Sequence, residues 1–163
     1  MNLESSKPKL IQVDIVSPEG SLFSGKVSGL YLKSTEGELG ILPGHLQLLT
    51  KIAPCSLRMT GVQASQDQAQ PQDQPQDDEE VLLFVSGGVL EVQPNSATLL
   101  ADTALRPQDV NEAAAQEARE SARKILDDAK SSNPKDIQQA QMDLLDAMAR
   151  IQVLELMRRK NRH

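Results

Sequence analysis

The feature that most constrains the fold is a change in hydrophobic period near Pro107. From about residue 10 to residue 100, short runs of Val, Ile and Leu are separated by Gly, Pro and Ser, and apolar and polar residues alternate in residues 11–15. This period of two predicts half-buried strands. After Pro107 the apolar residues recur every three or four positions, which predicts helix. The order of the two patterns indicates an α+β fold, with a β-sandwich or flattened barrel first and a helical part second.

The first part offers aliphatic side chains for its core. Turn signals such as Pro43-Gly44 and Pro94-Asn95 punctuate the chain. With only three aromatic residues in the sequence, the core must consist of Val, Ile, Leu and Ala. The apolar runs lie at residues 11–16, 22–23, 27–32, 39–42, 55–59, 81–85, 89–92 and 98–100.

A polar segment interrupts the β part at residues 64–80. It contains no hydrophobic residue larger than Ala and is dominated by Gln, Asp and Pro. Such a composition cannot bury enough apolar surface to offset the entropy of ordering. We predict a disordered insertion at the tip of a hairpin, where extra length costs little.

The second part predicts an antiparallel helical hairpin. One apolar stripe is Val110, Ala114, Ala118, Ala122, Ile125 and Ala129, and the second is Ile137, Ala140, Leu144, Ala147, Met148, Ile151 and Leu154. Asn133 is a good N-cap and Pro134 suits the first helical position. We therefore predict helices at residues 107–130 and 134–160, inside a helical domain at 106–163 that follows a β domain at 10–105 and a flexible N-terminus at 1–9.

The first helix would bury mostly alanines, which remove little apolar area from water. The hairpin is then weakly held and can adopt more than one arrangement. The alternative is that the alanines only supply helix propensity in a fixed structure. The sequence alone leaves both interpretations open.

Catalytic and metal-binding patterns are missing from the sequence. His45 and His163 have no second ligand at metal spacing, and the single cysteine, Cys55, offers no paired thiol and suits a small core position. Neither Cys55 nor Ser86 lies in a nucleophile-elbow pattern, and Ser86-Gly87-Gly88 fits a bulge or tight corner better than a phosphate loop. We predict a non-catalytic chain without cofactor or metal.

The charge distribution separates an acidic body from a basic tip. The net charge is −6, yet residues 150–163 carry five cations against one carboxylate. The negative total and the scarcity of aromatics argue against nucleic-acid binding. The tip either meets an acidic partner or only complements the C-terminal end of a helix dipole. No apolar run approaches the ~18 residues that span a bilayer, so membrane association is expected only through a partner.

Two strings and their order resemble a known family. Glu36-Gly-Glu-Leu-Gly-Ile-Leu-Pro-Gly-His45 and Val85-Ser-Gly-Gly-Val-Leu-Glu-Val92 resemble the signatures of ATP synthase epsilon subunits. The passage Leu99-Leu-Ala-Asp102, leading to Arg106, is similar to the family's transition from the last strand to the helices. The resemblance runs in order over about residues 10–158 and fails only at the insertion.

This resemblance implies a ten-stranded β-sandwich on the gamma shaft and the c-ring, at the cytoplasmic face of the bacterial inner membrane. It also implies a hairpin that either folds against the sandwich or extends along the shaft. The extended hairpin inhibits ATP hydrolysis because its last helix wedges between the shaft and the catalytic beta subunits, with alpha and beta as partners of that helix. It assigns Glu38 and His45 to the end of the sandwich that faces the ring and the shaft, although both residues could serve only the turn. Arg150, Arg158 and Arg159 would contact an acidic loop of beta.

One feature of the family is degraded in this chain. Some relatives bind ATP through an Ile/Leu-Asp-x-x-Arg-Ala motif, and the matching residues 110–115 have Asn111 at the acidic position and Ala114 at the arginine position. Loss of the cation predicts weak or no ATP binding. Two alternatives to the family are a ligand- or protein-binding β-sandwich with a helical dimerisation hairpin, and an enzyme using Cys55 or Ser86.

Overall fold

The computed structural model describes residues 9–64, 80–128 and 133–162. Of the predicted flexible N-terminus at 1–9 only Lys9 is described, and of the predicted insertion at 64–80 only its two end residues are. Within it, eleven strands precede the helices. They are β1 (Ile11–Ser17), β2 (Gly20–Val27), β3 (Gly29–Ser34), β4 (Gly37–Ile41), β5 (Leu48–Ile52), β6 (Cys55–Thr60), β7 (Gln63–Ala64), β8 (Val81–Val85), β9 (Gly88–Gln93), β10 (Ser96–Ala101) and β11 (Ala104–Leu105).

The strands form one continuous path that folds over an interior core. Ten strands follow in the order β11-β8-β6-β3-β5-β9-β10-β1-β2-β7, and β4 pairs with β3 beside that path. The two halves meet at a corner where Ser34 of β3 pairs with Ile52 of β5. All described pairings are antiparallel except that of β1 with β10. The expected N-terminal β-sandwich followed by two helices is confirmed.

The core of the sandwich is aliphatic, as the composition requires. In β1 the alternation places Ile11, Val13 and Ile15 completely inside. Cys55 is also buried in this core, as predicted. The side chains of Phe23 and Tyr31 are only partly buried, and Phe84 belongs to a different cluster described below.

Three strands were not predicted: β5 and the two-residue strands β7 and β11. β5 (Leu48–Ile52) follows the Pro43-Gly44 turn and alternates between partly buried and exposed positions before ending at the buried Ile52. Its exposed positions hold Leu49 and Lys51, so hydrophobic residues fall on both faces and the period of two is lost from the sequence.

The Gly87-Gly88 pair forms a tight corner, as predicted. Gly88 begins β9 with φ +138°, and a Cβ atom at this position would lie 2.1 Å from the carbonyl oxygen of Leu100. Only glycine permits both this backbone conformation and this approach between strands.

The first helix begins later than predicted. Pro107 opens a short 3-10 helix (Pro107–Asp109), and α1 spans Glu112–Asp127. Asn111 is its N-cap, because the side-chain Oδ1 accepts a 3.0 Å hydrogen bond from the N–H of Ala114. The cap lies five residues after the position that the proline indicated.

The second helix, α2, spans Pro134–Lys160. Asn133 is its N-cap, with Oδ1 accepting a 3.2 Å hydrogen bond from the N–H of Lys135. The proline occupies the first turn, where its missing N–H leaves no intrahelical bond unmade.

The buried faces of the helices differ from the predicted stripes. On α1, Ala115 and Ala122 are buried, whereas Ala114 and Ala118 are exposed and Ile125 is 40% exposed. Ala129 lies outside the described residues. On α2, Ala140, Ala147 and Ile151 are buried as predicted, but Met148 is 49% exposed, while Ala149 and Val153 are fully or nearly fully buried outside the stripe.

The reason is that α2 buries two faces in its C-terminal half. One face packs on α1, and the other packs on β6 and β8 of the sandwich. A second hydrophobic cluster forms there from Leu82, Phe84, Val110, Ala149 and Val153. A single stripe could not predict both contacts, since each face claims its own set of residues.

Candidate functional site: partner surfaces and the docked hairpin

Glu38 is exposed, but it lies in a strand and not in the turn that the sequence predicted. It belongs to β4, opposite Lys33 of β3. The turn itself is closed by Ser34, whose hydroxyl donates to the carbonyl of Gly37 at 2.9 Å and accepts from the N–H of Glu36 at 3.1 Å. The carboxylate therefore projects from a rigid β-hairpin and remains hydrated.

His45 lies in the connection between β4 and β5. Its backbone N–H donates to the carbonyl of Leu42 at 3.0 Å, and Gly44 donates to the carbonyl of Pro94 at 2.9 Å. The ring Nδ1 lies 2.7 Å from the carbonyl oxygen of Leu46. A carbonyl only accepts, so this contact requires a proton on Nδ1 and orients the ring.

Exposed hydrophobic side chains lie in this connection and on the adjoining sheet, where the exposed Lys51 and Glu91 stand among them. Leu46 is 83% exposed and Leu49 is 73% exposed. Register places Val89 of β9 next to Leu100 of β10 on the same outer side. We call these residues, with Leu42, the apolar face. Sequence reasoning missed it, although the adjacent leucine pairs Leu48-Leu49 and Leu99-Leu100 place apolar residues on both sides of a strand and could have revealed it.

Several basic residues of α2 have partners within the chain. The guanidinium of Arg158 donates two hydrogen bonds to the carboxylate of Glu112 in α1, from Nη1 to Oε1 at 3.1 Å and from Nη2 to Oε2 at 2.5 Å. The hydrogen bond and the charge of Glu112 raise the pKa of Arg158. The pair joins the start of α1 to the end of α2.

Arg150 makes two contacts of a different kind. Its Nε donates to Asp146, one turn earlier on α2, at 2.7 Å. Its guanidinium carbon also lies 4.5 Å from the centroid of the Phe84 ring in β8. Arg150 therefore belongs to the contact between hairpin and sandwich.

Arg159 differs from both. Its side chain is exposed and makes no hydrogen bond or ion pair with any residue that the structure describes. Its neighbour Lys160 donates to the carbonyl oxygen of Glu80, which directly precedes β8. Of the three predicted contact arginines, the structure thus engages two within the chain.

A cleft of about 1250 Å³ separates part of the hairpin from β3, β4 and β6. It is lined by charged groups, among them Arg58, Arg119, Arg159 and Glu38. Arg58 pairs with Glu80 at 3.2 Å and lies 4.6 Å from the centroid of the Tyr31 ring. Glu38 therefore borders the hairpin, and His45 does not line this cleft.

The positions of the degraded ATP motif have structural roles. Asn111 caps α1, and Ala114 supplies the N–H that the cap receives. Asn111 accepts this hydrogen bond without the negative charge of the family's aspartate. Ala114 is exposed and carries no group that could hold a phosphate.

The described residues contain no group of three or more His, Cys, Asp or Glu side chains arranged to hold a metal ion. Burial raises the pKa of the Cys55 thiol, which disfavours the reactive thiolate. The hydroxyl of Ser86 donates to the carbonyl of Thr103 at 3.4 Å. Neither described helix is long and apolar enough to cross a membrane.

The geometry defines a class: a β-sandwich with a docked helical hairpin, whose candidate sites are surfaces for other proteins. Comparison with known families agrees. Residues 10–70 match the β-sandwich domain of the ATP synthase delta/epsilon chain, and residues 108–155 match its long α-helix domain.

Relatives in other bacteria extend this match over most of the chain. The ATP synthase epsilon chain of Hydrogenovibrio crunogenus is 44% identical over 91% of both chains. The ATP synthase epsilon chain 2 of Photobacterium profundum is 45% identical over 93% of this chain and 92% of its own. A chain in the cryo-EM structure of the Euglena gracilis mitochondrial ATP synthase (OSCP/F1/c-ring, rotational state 1) has the same fold, with a TM-score of 0.67 and 17% identity over 90% of this chain and 82% of that chain.

This chain belongs to the family of ATP synthase epsilon chains. The epsilon chain is a non-catalytic subunit, so family membership supports the prediction that the chain is not itself an enzyme.

Proposed function

We propose that the chain is a central-stalk subunit that couples rotation of the c-ring to the gamma subunit and inhibits ATP hydrolysis through its hairpin. The observation that carries this proposal is the way in which the hairpin is docked. Among the described residues, its apolar contact with the sandwich is a cluster of five buried and four partly buried residues, separate from the twenty buried residues of the sandwich core. The hairpin can therefore leave without opening that core.

The buried residues of the contact between the helices include small side chains. The buried residues of α1 are Ala115 and Ala122, and Ala140 and Ala147 are among the buried residues of α2. At ~25 cal/mol per Å² of apolar surface, alanine contacts contribute little free energy. A partner with higher affinity for the extended arrangement can then shift the equilibrium.

The sandwich supplies the coupling surface in this proposal. Leu46 and Leu49 on the apolar face are largely exposed, and a partner that covers them removes apolar surface from water. We assign this face, with His45 at its edge, to the gamma subunit. Glu38, hydrated on the rigid β3–β4 hairpin, is assigned to polar loops of the c-ring.

The helix α2 inhibits ATP hydrolysis in this proposal, and we call this inhibition the brake. In the extended arrangement Arg150, Arg158 and Arg159 contact an acidic loop of the beta subunit, and the helix lodges between the shaft and the alpha and beta subunits. Contact with the ring holds the chain at the cytoplasmic face of the bacterial inner membrane, as a peripheral subunit. No ATP is required for this action.

The test compares the ATPase rate of rotor complexes that contain the full chain with the rate of complexes whose chain ends after Arg106. We expect faster hydrolysis with the truncated chain and retained coupling. Co-purification must demonstrate that the truncated chain still binds, because lost binding would also release inhibition. Equal hydrolysis rates in complexes with equal subunit content would refute the brake.

A further inference from the structure

The carboxylate of Glu112 occupies the Nη1–Nη2 edge of the Arg158 guanidinium and offsets the positive charge that would attract an acidic partner. Both oxygens of Glu112 are engaged, one with each terminal nitrogen of Arg158. A second carboxylate cannot form the same two-bond contact while the first is in place, since a guanidinium edge accommodates one carboxylate in this geometry.

The position of the Glu112–Arg158 pair allows it to oppose separation of the two helices. Glu112 is the first residue of α1, and Arg158 lies in the last turn of α2. In an antiparallel hairpin these two ends are adjacent and lie farthest from the connection between the helices. A contact at this open end opposes separation of the helices where the chain does not.

We propose that Glu112 is an internal competitor for the partner surface: it latches the folded hairpin by holding Arg158, and the hairpin can bind its acidic partner only after this pair opens. The inference rests on the proposed function for the identity of the partner, but the latch itself is a property of the isolated chain.

Two neighbouring contacts strengthen the latch. Arg150 lies about two turns before Arg158, ~12 Å along the helix axis, and packs on Phe84 of the sandwich. Lys160 is held by the carbonyl of Glu80. Contacts with the β part therefore engage Arg150 and Lys160, and the contact with α1 engages Arg158. The side chain of Arg159 makes no such contact with the described residues.

A second carboxylate, that of Glu155, remains beside Arg158 when the hairpin opens. Glu155 lies one turn before Arg158 on α2 and acts on the same guanidinium. When the hairpin opens, Glu155 stays with Arg158 and only Glu112 departs. Substitution of Glu112 therefore removes the latch without altering the surface that α2 presents to a partner.

Hydrogen exchange of α1 amides in the isolated full chain measures the latch. A 16-residue helix detached from its neighbour is marginal in water, so opening of the hairpin exposes these amides. We expect Glu112→Gln to accelerate exchange at residues 115–122 severalfold at low salt and to abolish the salt dependence of the exchange rate. Glu120→Gln, which alters an exposed carboxylate without a partner among the described residues, serves as the control and should leave exchange unchanged.

A double-mutant cycle separates the pair from helix-dipole effects. Arg158→Gln should accelerate exchange as Glu112→Gln does, and the double variant should add little. Independent, additive effects of the two substitutions, or exchange in Glu112→Gln equal to wild type, would overturn the latch.

The same variant in the rotor complex tests the connection to the brake. Because Glu112→Gln keeps Arg158 and frees it, we expect inhibition of ATP hydrolysis to become severalfold stronger. If the variant loosens the hairpin but hydrolysis does not change, the latch stands and the proposed brake fails. If exchange does not change, the latch fails and the brake remains to be judged by the truncation.

Discussion

The guanidinium of Arg150 lies over the ring of Phe84, 4.5 Å from its centroid. Phe84 is completely buried, and its neighbours Leu83 and Val85 point into the core of the sandwich. A single strand, β8, thus serves the core with one side and the hairpin with the other. The cation that the sequence assigns to a partner is in this arrangement part of the hairpin's own docking contact.

We expect Arg150→Ala to weaken this docking by about 1 kcal/mol, the usual contribution of a partly exposed cation over an aromatic ring. Hydrogen exchange of α2 amides at residues 149–154 would measure the change. Arg159→Ala removes a neighbouring cation that has no partner among the described residues, and it is the matched control. Equal exchange in the two variants would contradict a docking role for Arg150.

Replacing Arg150, Arg158 and Arg159 together by Ala should abolish most of the inhibition of ATP hydrolysis at low salt. Ionic contacts at exposed sites are strongest under these conditions because screening is weakest. The triple variant also lacks the Glu112–Arg158 pair, so its hairpin opens freely but carries none of these three arginines. It is compared with Glu112→Gln, whose hairpin also opens but keeps all three. Undiminished inhibition by the triple variant would defeat the electrostatic contact.

Gly88→Ala should reduce the free energy of unfolding by about 3 kcal/mol or more, because the added Cβ forces β9 and β10 apart and occupies a left-handed conformation. Gly20→Ala is the control for conformation alone, since Gly20 has φ +131° but a Cβ there meets no atom within 4 Å. Urea unfolding of both variants measures the difference. A similar loss in the two would show that the close approach to Leu100 contributes nothing.

Leu49→Ser should leave the free energy of unfolding within about 0.5 kcal/mol of wild type, because the side chain is largely exposed. If the apolar face binds the gamma subunit, the same substitution should weaken that binding roughly tenfold. Urea unfolding and co-purification with gamma give the two quantities. Ile125→Ser, at a hydrophobic residue of α1 that is 40% exposed, is the control for binding and should leave co-purification with gamma unchanged.

ATP should not bind the isolated chain with micromolar affinity. Asn111 is committed to capping α1, and Ala114 offers no cation for a polyphosphate. Isothermal calorimetry with Mg-ATP is the direct measurement, and Ala114→Arg tests whether the missing cation alone accounts for the loss. A micromolar dissociation constant for the unmodified chain would contradict this expectation.

Much of the fold could be predicted from local chemistry. The Asn133-Pro134 pair indicated the start of α2, because an N-cap and a proline in the first turn satisfy the helix end whatever the helix contacts. The alternation in β1 likewise predicted its buried residues. Pro107 was misleading, since its fixed φ suits a 3-10 turn as well as an α-helix.

The candidate site depended on the tertiary structure to a greater degree. The sequence by itself determined that α2 carries its cations at one end and that an aliphatic β body precedes two helices. Only the folded chain decided that α2 has two buried faces, that Arg158 meets Glu112 at a separation of 46 residues, and that Leu49 faces outward. The physical reason is that periodicity in the sequence indicates which residues of a helix or strand lie on its apolar face. Which element packs on that face depends on contacts between segments that are distant in sequence.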